Sequence, residues 1–118
     1  MTLDDAVKAH VAWKVRLQSY LAGHGEKFDA VKVAQDCHCD LGRWIHGDGM
    51  RHALAPEYRV LRDEHAAFHK EAARVIVTNE RGDNAGARAL LAGAFAERSL
   101  RVVIAITDLK RVVGARAA

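Results

Sequence analysis

Apolar residues recur along this chain at three- and four-residue intervals, with little β-branched alternation, and that spacing predicts helices. A first helix is expected from Leu3 to Leu21. Thr2 followed by Asp5 resembles a capping box with Asp in place of Glu, and Val7, His10, Val11, Lys14, Leu17 and Leu21 share one face. Ala22-Gly23-His24-Gly25 should end it, because glycine accepts the left-handed cap conformation. Asp29 is placed to cap a short helix through Gln35. A second short helix should carry Leu41 to His46, closed by a turn at Gly47-Asp48-Gly49. Ala55-Pro56-Glu57 opens a long helix with Pro at its first position, continuing to about Asn79. Its inward face reads Tyr58, Leu61, His65, Phe68, His69, Ala72 and Val75 or Ile76. Arg81-Gly82-Asp83-Asn84 breaks it, and a last helix is expected over about Ala85 to Ala115. Leu91, Phe95, Val102, Ala105, Ile106, Leu109, Val112 and Val113 form its apolar face. Leu90, Leu100, Val103 and Ile104 widen that face beyond what one neighbouring helix covers. Three long helices and two short ones predict an all-α, up-and-down helical bundle.

Composition narrows the class. The 118 residues fit one domain, residues 1–118. Half are hydrophobic and 28% are charged, the balance of a soluble globular protein. The net charge of +3 is dispersed among acids rather than gathered on one basic face, which argues against nucleic acid as a partner. No apolar run approaches the roughly 20 residues that span a bilayer. Val102-Val103-Ile104-Ala105-Ile106 is short and flanked by Arg101 and Asp108, so no membrane insertion is expected. Met1-Thr2-Leu3-Asp4-Asp5 is acidic and has no apolar signal core. Cys37 and Cys39 stand too close in sequence to staple a fold. Reduced thiols and a cytoplasmic setting are therefore expected.

The chemistry lies in the histidines and in one thiol. His65 and His69 are one helical turn apart, so both imidazoles can point the same way, and both fall on the inward face. A buried imidazole without a partner is costly, which favours ligation. Cys39 adds a soft thiolate, and zinc prefers four nitrogen and sulfur ligands in a tetrahedron. His10, on the buried face of the first helix, is the fourth candidate. The expected metal site is thus His10, Cys39, His65 and His69 around one zinc ion in the bundle core. Cys37 is a rival to Cys39, but on a short helical turn the two point different ways. His24, His38, His46 and His52 are expected in loops, near helix ends or exposed. Trp13, Leu41 and Trp44 are expected to pack, and Gly42 to permit a close helix approach. Free imidazole titrates near about 6.5, so metal affinity is expected to fall as pH drops through that region. No general base stands near the site, no glycine-rich phosphate loop is present, and no catalytic triad can be drawn; Glu64 should be solvated.

Taken together, His10-x-x-Trp13, then Cys39-x-Leu41-Gly42-x-Trp44, then His65-x-x-x-His69 resembles the bacterial chemoreceptor zinc-binding (CZB) domain. The likeness covers about residues 6 to 80, in motif order and spacing. It implies a three-His, one-Cys zinc site in a helical bundle. Members of that family are usually appended to chemotaxis receptors or diguanylate cyclases, which they control through zinc or oxidants such as hypochlorous acid. No signalling domain lies within these 118 residues, so a signalling protein of either kind is the expected partner. A sensory module that is not an enzyme is the expected function. A zinc enzyme would need an open metal position, which four protein ligands would close. A purely structural, zinc-stapled dimerisation domain is the other alternative. An iron centre of the hemerythrin type would call for bridging carboxylates and has no need of Cys39. The wide apolar surface of the last helix points to a homodimer through the first and last helices.

Overall fold

Thr2 and Asp5 close the capping box. The Asp5 amide donates to Thr2 Oγ1 at 3.1 Å and the Thr2 amide to Asp5 Oδ2 at 3.3 Å, and α1 runs Leu3–Leu21 from that start. Gly23 and Gly25 follow with φ of 85° and 80°, the left-handed conformation that lets the chain turn away. The computed structural model describes residues 2–117, with side-chain surroundings through residue 113; Met1 lies outside them. After α1 come α2 (Ala30–Val33), capped by Asp29, and α3 (Asp40–Ile45). A 3-10 turn spans Asp48–His52, and α4 (Pro56–Glu80) begins with Pro56 in its first turn. The last long helix is built of α5 (Asn84–Leu90), a π-helical turn (Leu91–Phe95) and α6 (Ala96–Ala117). Among the described residues there is no strand. The architecture is the expected all-α bundle of three long and two short helices.

Two polar ties set the direction of the bundle. Asn84 Nδ2 donates to the Leu21 carbonyl at 2.9 Å, joining the end of α1 to the start of α5. Lys110 Nζ meets Asp4 Oδ1 at 2.5 Å, joining the start of α1 to the far part of α6. The last helix therefore runs antiparallel to α1, and the tight turn at Gly82 makes it antiparallel to α4 as well. Residues 22–55, carrying α2 and α3, bring the chain back along the bundle. The outcome is elongated, 51 × 21 × 21 Å.

The face expected of α4 is the face it buries: Tyr58, Leu61, His65, Phe68, His69, Ala72, and both Val75 and Ile76. The face of α1 sits differently. Ala6, His10, Trp13, Leu17 and Leu21 are buried, whereas Val11 is 59% exposed and Lys14 is also on the surface. The correction has a physical reason: the large Trp13 ring turns inward, with Phe28 at 5.8 Å and Phe68 at 6.3 Å between ring centres, and it displaces the smaller valine. The last helix differs by its π-helical turn, where Ala92, Gly93 and Ala94 offer little side-chain bulk to enforce the α repeat. Its core residues Leu91, Phe95, Val102, Ala105, Ile106 and Leu109 are buried as expected, while Leu100 and Ile104 remain 60% and 51% exposed.

Candidate metal centre

The site is assembled from a rigid half and a folded-back half. The rigid half is α4, whose 25 residues fix His65 and His69 one turn apart on the buried face. The other half is the segment 36–42. Cys39 is the N-cap of α3, and its sulfur accepts a hydrogen bond from the Gly42 amide at 3.3 Å. That geometry needs Gly42 for a reason other than helix approach. A Cβ at position 42 would lie 1.7 Å from the Asp36 carbonyl oxygen, so the segment closes on itself only because no side chain is there. The closure aims Cys39 Sγ at α4.

Three donor atoms converge. Cys39 Sγ stands 3.2 Å from His65 Nε2 and 3.5 Å from His69 Nε2, and the two Nε2 atoms are 3.1 Å apart. A tetrahedral ion bound at about 2.0–2.1 Å to nitrogen and about 2.3 Å to sulfur requires donor–donor edges of about 3.3–3.6 Å. The observed triangle is close to that size. The protonation pattern agrees. His69 Nδ1 lies 2.9 Å from the Val33 carbonyl, which can only accept, so Nδ1 carries the proton and Nε2 presents a lone pair. The donor set of two imidazoles and a thiol suits zinc.

His10 adjoins this triangle without belonging to it. Its ring centre is 5.2 Å from that of His65 and 6.4 Å from that of His69, and Phe68 lies beside it at 4.5 Å. Its Nδ1 is buried with no hydrogen-bond partner. So the structure brings Cys39, His65 and His69 together, with their ligand atoms all within 4.8 Å, and places His10 alongside. Cys37, His24, His38 and His46 are exposed, and none joins the cluster. His52 is half-buried and stacks on Trp44. Two supporting groups carried no sequence signal. One is the Val33 carbonyl. The other is Asp36, whose Oδ2 pairs with His46 Nε2 at 3.1 Å and stands 3.9 Å from His65 Nδ1, a charge neighbour too distant to bond, so that this Nδ1 too is buried without a hydrogen-bond partner.

Burial decides the proton states. It pushes His10 down to about 3 and His65 to about 2, with the neighbouring imidazoles adding to the effect, so both are neutral at ordinary pH. His69 also falls through burial, opposed by its bond to Val33 and by Asp36. The Cys39 thiol is pushed up by burial, partly offset by the amides of Gly42 and Leu41. Among the described residues no helix is long and apolar enough to cross a membrane.

The family model of the chemoreceptor zinc-binding domain (CZB) matches residues 10–76. That span contains the converging triangle and begins at His10. No curated protein and no solved structure matches the chain.

These proton states change the expected pH dependence. His10 and His65 are already neutral and would offer little competition near pH 6.5, so for a metal bound at this cluster the proton that would have to leave is that of the Cys39 thiol. Zinc affinity should rise about tenfold per pH unit between about pH 6 and 7.5, with about one proton released per ion. Competitive zinc titrations at the two ends of that range will check the slope; release of three or four protons would mean that the imidazoles are charged in the folded chain.

Proposed function

The chain belongs to the chemoreceptor zinc-binding domain family, and on that premise we propose that residues 1–118 act as one sensory module whose zinc ion is held by His10, Cys39, His65 and His69. Zinc is the cofactor of the family, and the Cys39–His65–His69 cluster is able to hold it. The observation that carries the reading is the triangle of half-buried Cys39 Sγ with buried His65 Nε2 and His69 Nε2, with edges of 3.1–3.5 Å. His10 is added as fourth ligand because its ring borders the triangle and its Nδ1 is buried and unpartnered, a costly state that metal ligation at this ring would help to explain. Four protein ligands would leave no position for a reacting water, which supports a regulatory role over an enzymatic one. A three-ligand site without His10 would keep that position open, so the His10 variant separates the two classes.

The output we propose is movement of the 36–54 segment against α4. Bound zinc would join a short, folded-back segment to a long rigid helix, while Leu41 and Ile45 pack into the core and the Tyr58 hydroxyl donates to the Ile45 carbonyl. The signal is zinc itself or an oxidant. Hypochlorous acid would oxidise the Cys39 thiolate to sulfenic acid while being reduced to chloride, weakening the sulfur's hold on the metal. Chemotaxis or cyclic-di-GMP signalling in the cytoplasm is the setting, with a chemoreceptor or diguanylate cyclase as partner. A second copy is the nearest one. Val11 and Val15 on α1, with Leu100 and Ile104 on α6, leave apolar side chains uncovered on the first and last helices, which supports a homodimer.

Three outcomes follow from this reading. Purified chain should hold one zinc by elemental analysis. Alanine at Cys39, His65 or His69 should lower affinity by orders of magnitude, and His10→Ala should lower it without creating hydrolytic activity, while Cys37→Ala should change little. Under stoichiometric hypochlorous acid, Cys39 should be modified and zinc released from a chain that stays helical by circular dichroism, with recovery on reduction. Modification of Cys37 alone, with zinc retained, would remove the oxidant signal; wholesale unfolding on zinc loss would make the metal structural. Light scattering should give the mass of two chains at micromolar concentration, and a monomer mass would reject the dimer.

A further inference from the structure

The imidazoles of the centre are closed in by packing, but the sulfur is not. His10, His65 and His69 are 0–2% exposed, whereas Cys39 is half-buried and forms part of the wall of two cavities. The larger, about 440 Å³, opens between α1 and the chain from Glu26 to Cys39. Trp13, Phe28 and Val33 give it an apolar wall, and Cys39 and His69 line it as well. The smaller, about 400 Å³, lies on the α1–α3 side and shares Trp13, Arg16 and Cys39 with the first. Arg16 divides them, its guanidinium 4.2 Å from the centre of the Trp13 ring.

The charges around the larger cleft are unequal in what they leave over. Glu26 is taken by Arg16 at 2.5 Å, and Asp29 Oδ1 accepts from the Val31 amide at 2.9 Å in capping α2. Lys27 and Lys32 are exposed at the same cleft and have no carboxylate partner within ion-pair distance among the described residues. On the other side, Arg43 is held by Asp40 and the His38 carbonyl. A concave site of this size with two uncommitted ammonium groups suits a small organic anion.

We propose that this cleft is a docking site for small chelating anions of the polycarboxylate or thiolate class, through which zinc is delivered to and withdrawn from the centre by exchange at Cys39. The proposal rests on the zinc reading given above. Unassisted loss would require a divalent cation to give up all its donors before any replacement arrives, at a high cost. Exchange one donor at a time avoids that. An incoming carboxylate or thiolate would take the place of Cys39 on the bound ion, and the freed Cys39 sulfur would take up a proton from solvent, with no change of oxidation state. Cys39 is the donor suited to go first, because it caps the six-residue α3 and faces the cleft, while His65 and His69 are fixed on α4.

The test is the rate of zinc withdrawal from the zinc-loaded full chain, mixed rapidly with EDTA as the anionic probe and with 1,10-phenanthroline as a neutral one. Release into EDTA should accelerate with EDTA concentration and saturate. The Lys27→Glu, Lys32→Glu variant should slow it about tenfold or more, with equilibrium zinc affinity and the phenanthroline rate unchanged. A variant of equal charge change on α1, Lys8→Glu with Lys14→Glu, should behave as the parent chain. A release rate independent of EDTA concentration would overturn the cleft as an exchange site, as would equal slowing by the two double variants. A chain that takes up no zinc at all would overturn the zinc reading together with this one, whereas a chain that holds zinc and fails the rate test overturns the cleft alone.

Discussion

Two imidazole nitrogens and one sulfur are held within 3.5 Å of each other, and the rest of the structure is arranged around that closeness. His69 Nε2 presents a lone pair while Nδ1 is bonded to Val33, and the Cys39 thiol, the His65 ring or a cation can meet it. The cluster is thus balanced between a hydrogen-bonded form and one in which a cation would take the proton's place. Everything around it serves that balance. Phe68 and Trp13 exclude water from the imidazoles, with ring centres 5.3 and 5.8 Å from that of His69, and Gly42 lets the sulfur reach them. Removing water strengthens each metal–ligand interaction and penalises each charged imidazole, the same cause acting in two directions.

Helix α4 was legible in the sequence because a long helix carries its inward face in simple periodicity, and both histidines of the cluster belong to that period. Bounds written by caps were legible too: Thr2 with Asp5, Asp29, and Pro56 each mark a helix start that the structure forms. The face of α1 was not, since Val11 and Lys14 fit the spacing as well as Trp13 does. Which of them turns inward depends on Phe28 and Phe68, residues far away in the chain. The π-helical turn was hidden because it changes no residue type, only the count of residues in one turn. The clustered residues Cys39, His65 and His69 could be named as candidate ligands from their chemistry. Their supports could not: a backbone carbonyl at Val33 has no side-chain signature, and the role of Gly42 depends on where Asp36 falls.

The bundle is uneven in how firmly its parts are held. α4 packs along α6, and α1 lies against α6 as well, whereas α1 reaches α4 chiefly through the rings of His10, Trp13, Phe68 and His69. The gap between those two helices is the space the centre occupies. A metal gained or lost at this cluster would act where the helices are joined by aromatic and imidazole contacts rather than by close backbone approach. The Phe68 ring also touches Phe95, 5.0 Å between centres, at the end of the π-helical turn, so the same ring layer borders the last helix.

That turn has a consequence for how the chain can vary. A π turn holds one residue more than an α turn while the helix on either side keeps its phase. Leu91–Phe95 is therefore a point in the last helix where the length of the chain and the orientation of its faces come uncoupled. Loss of one residue there would tighten the turn to an ordinary helical repeat and leave Ala87 on one side and Val102 on the other still pointing into the core. The same loss a few residues later, within α6, would swing the side chains of one flank about 100° round the axis and expose Val102, Ile106 and Leu109 in part. Insertions and deletions among natural variants of this chain should accordingly gather at positions 91–95 and avoid the rest of the helix.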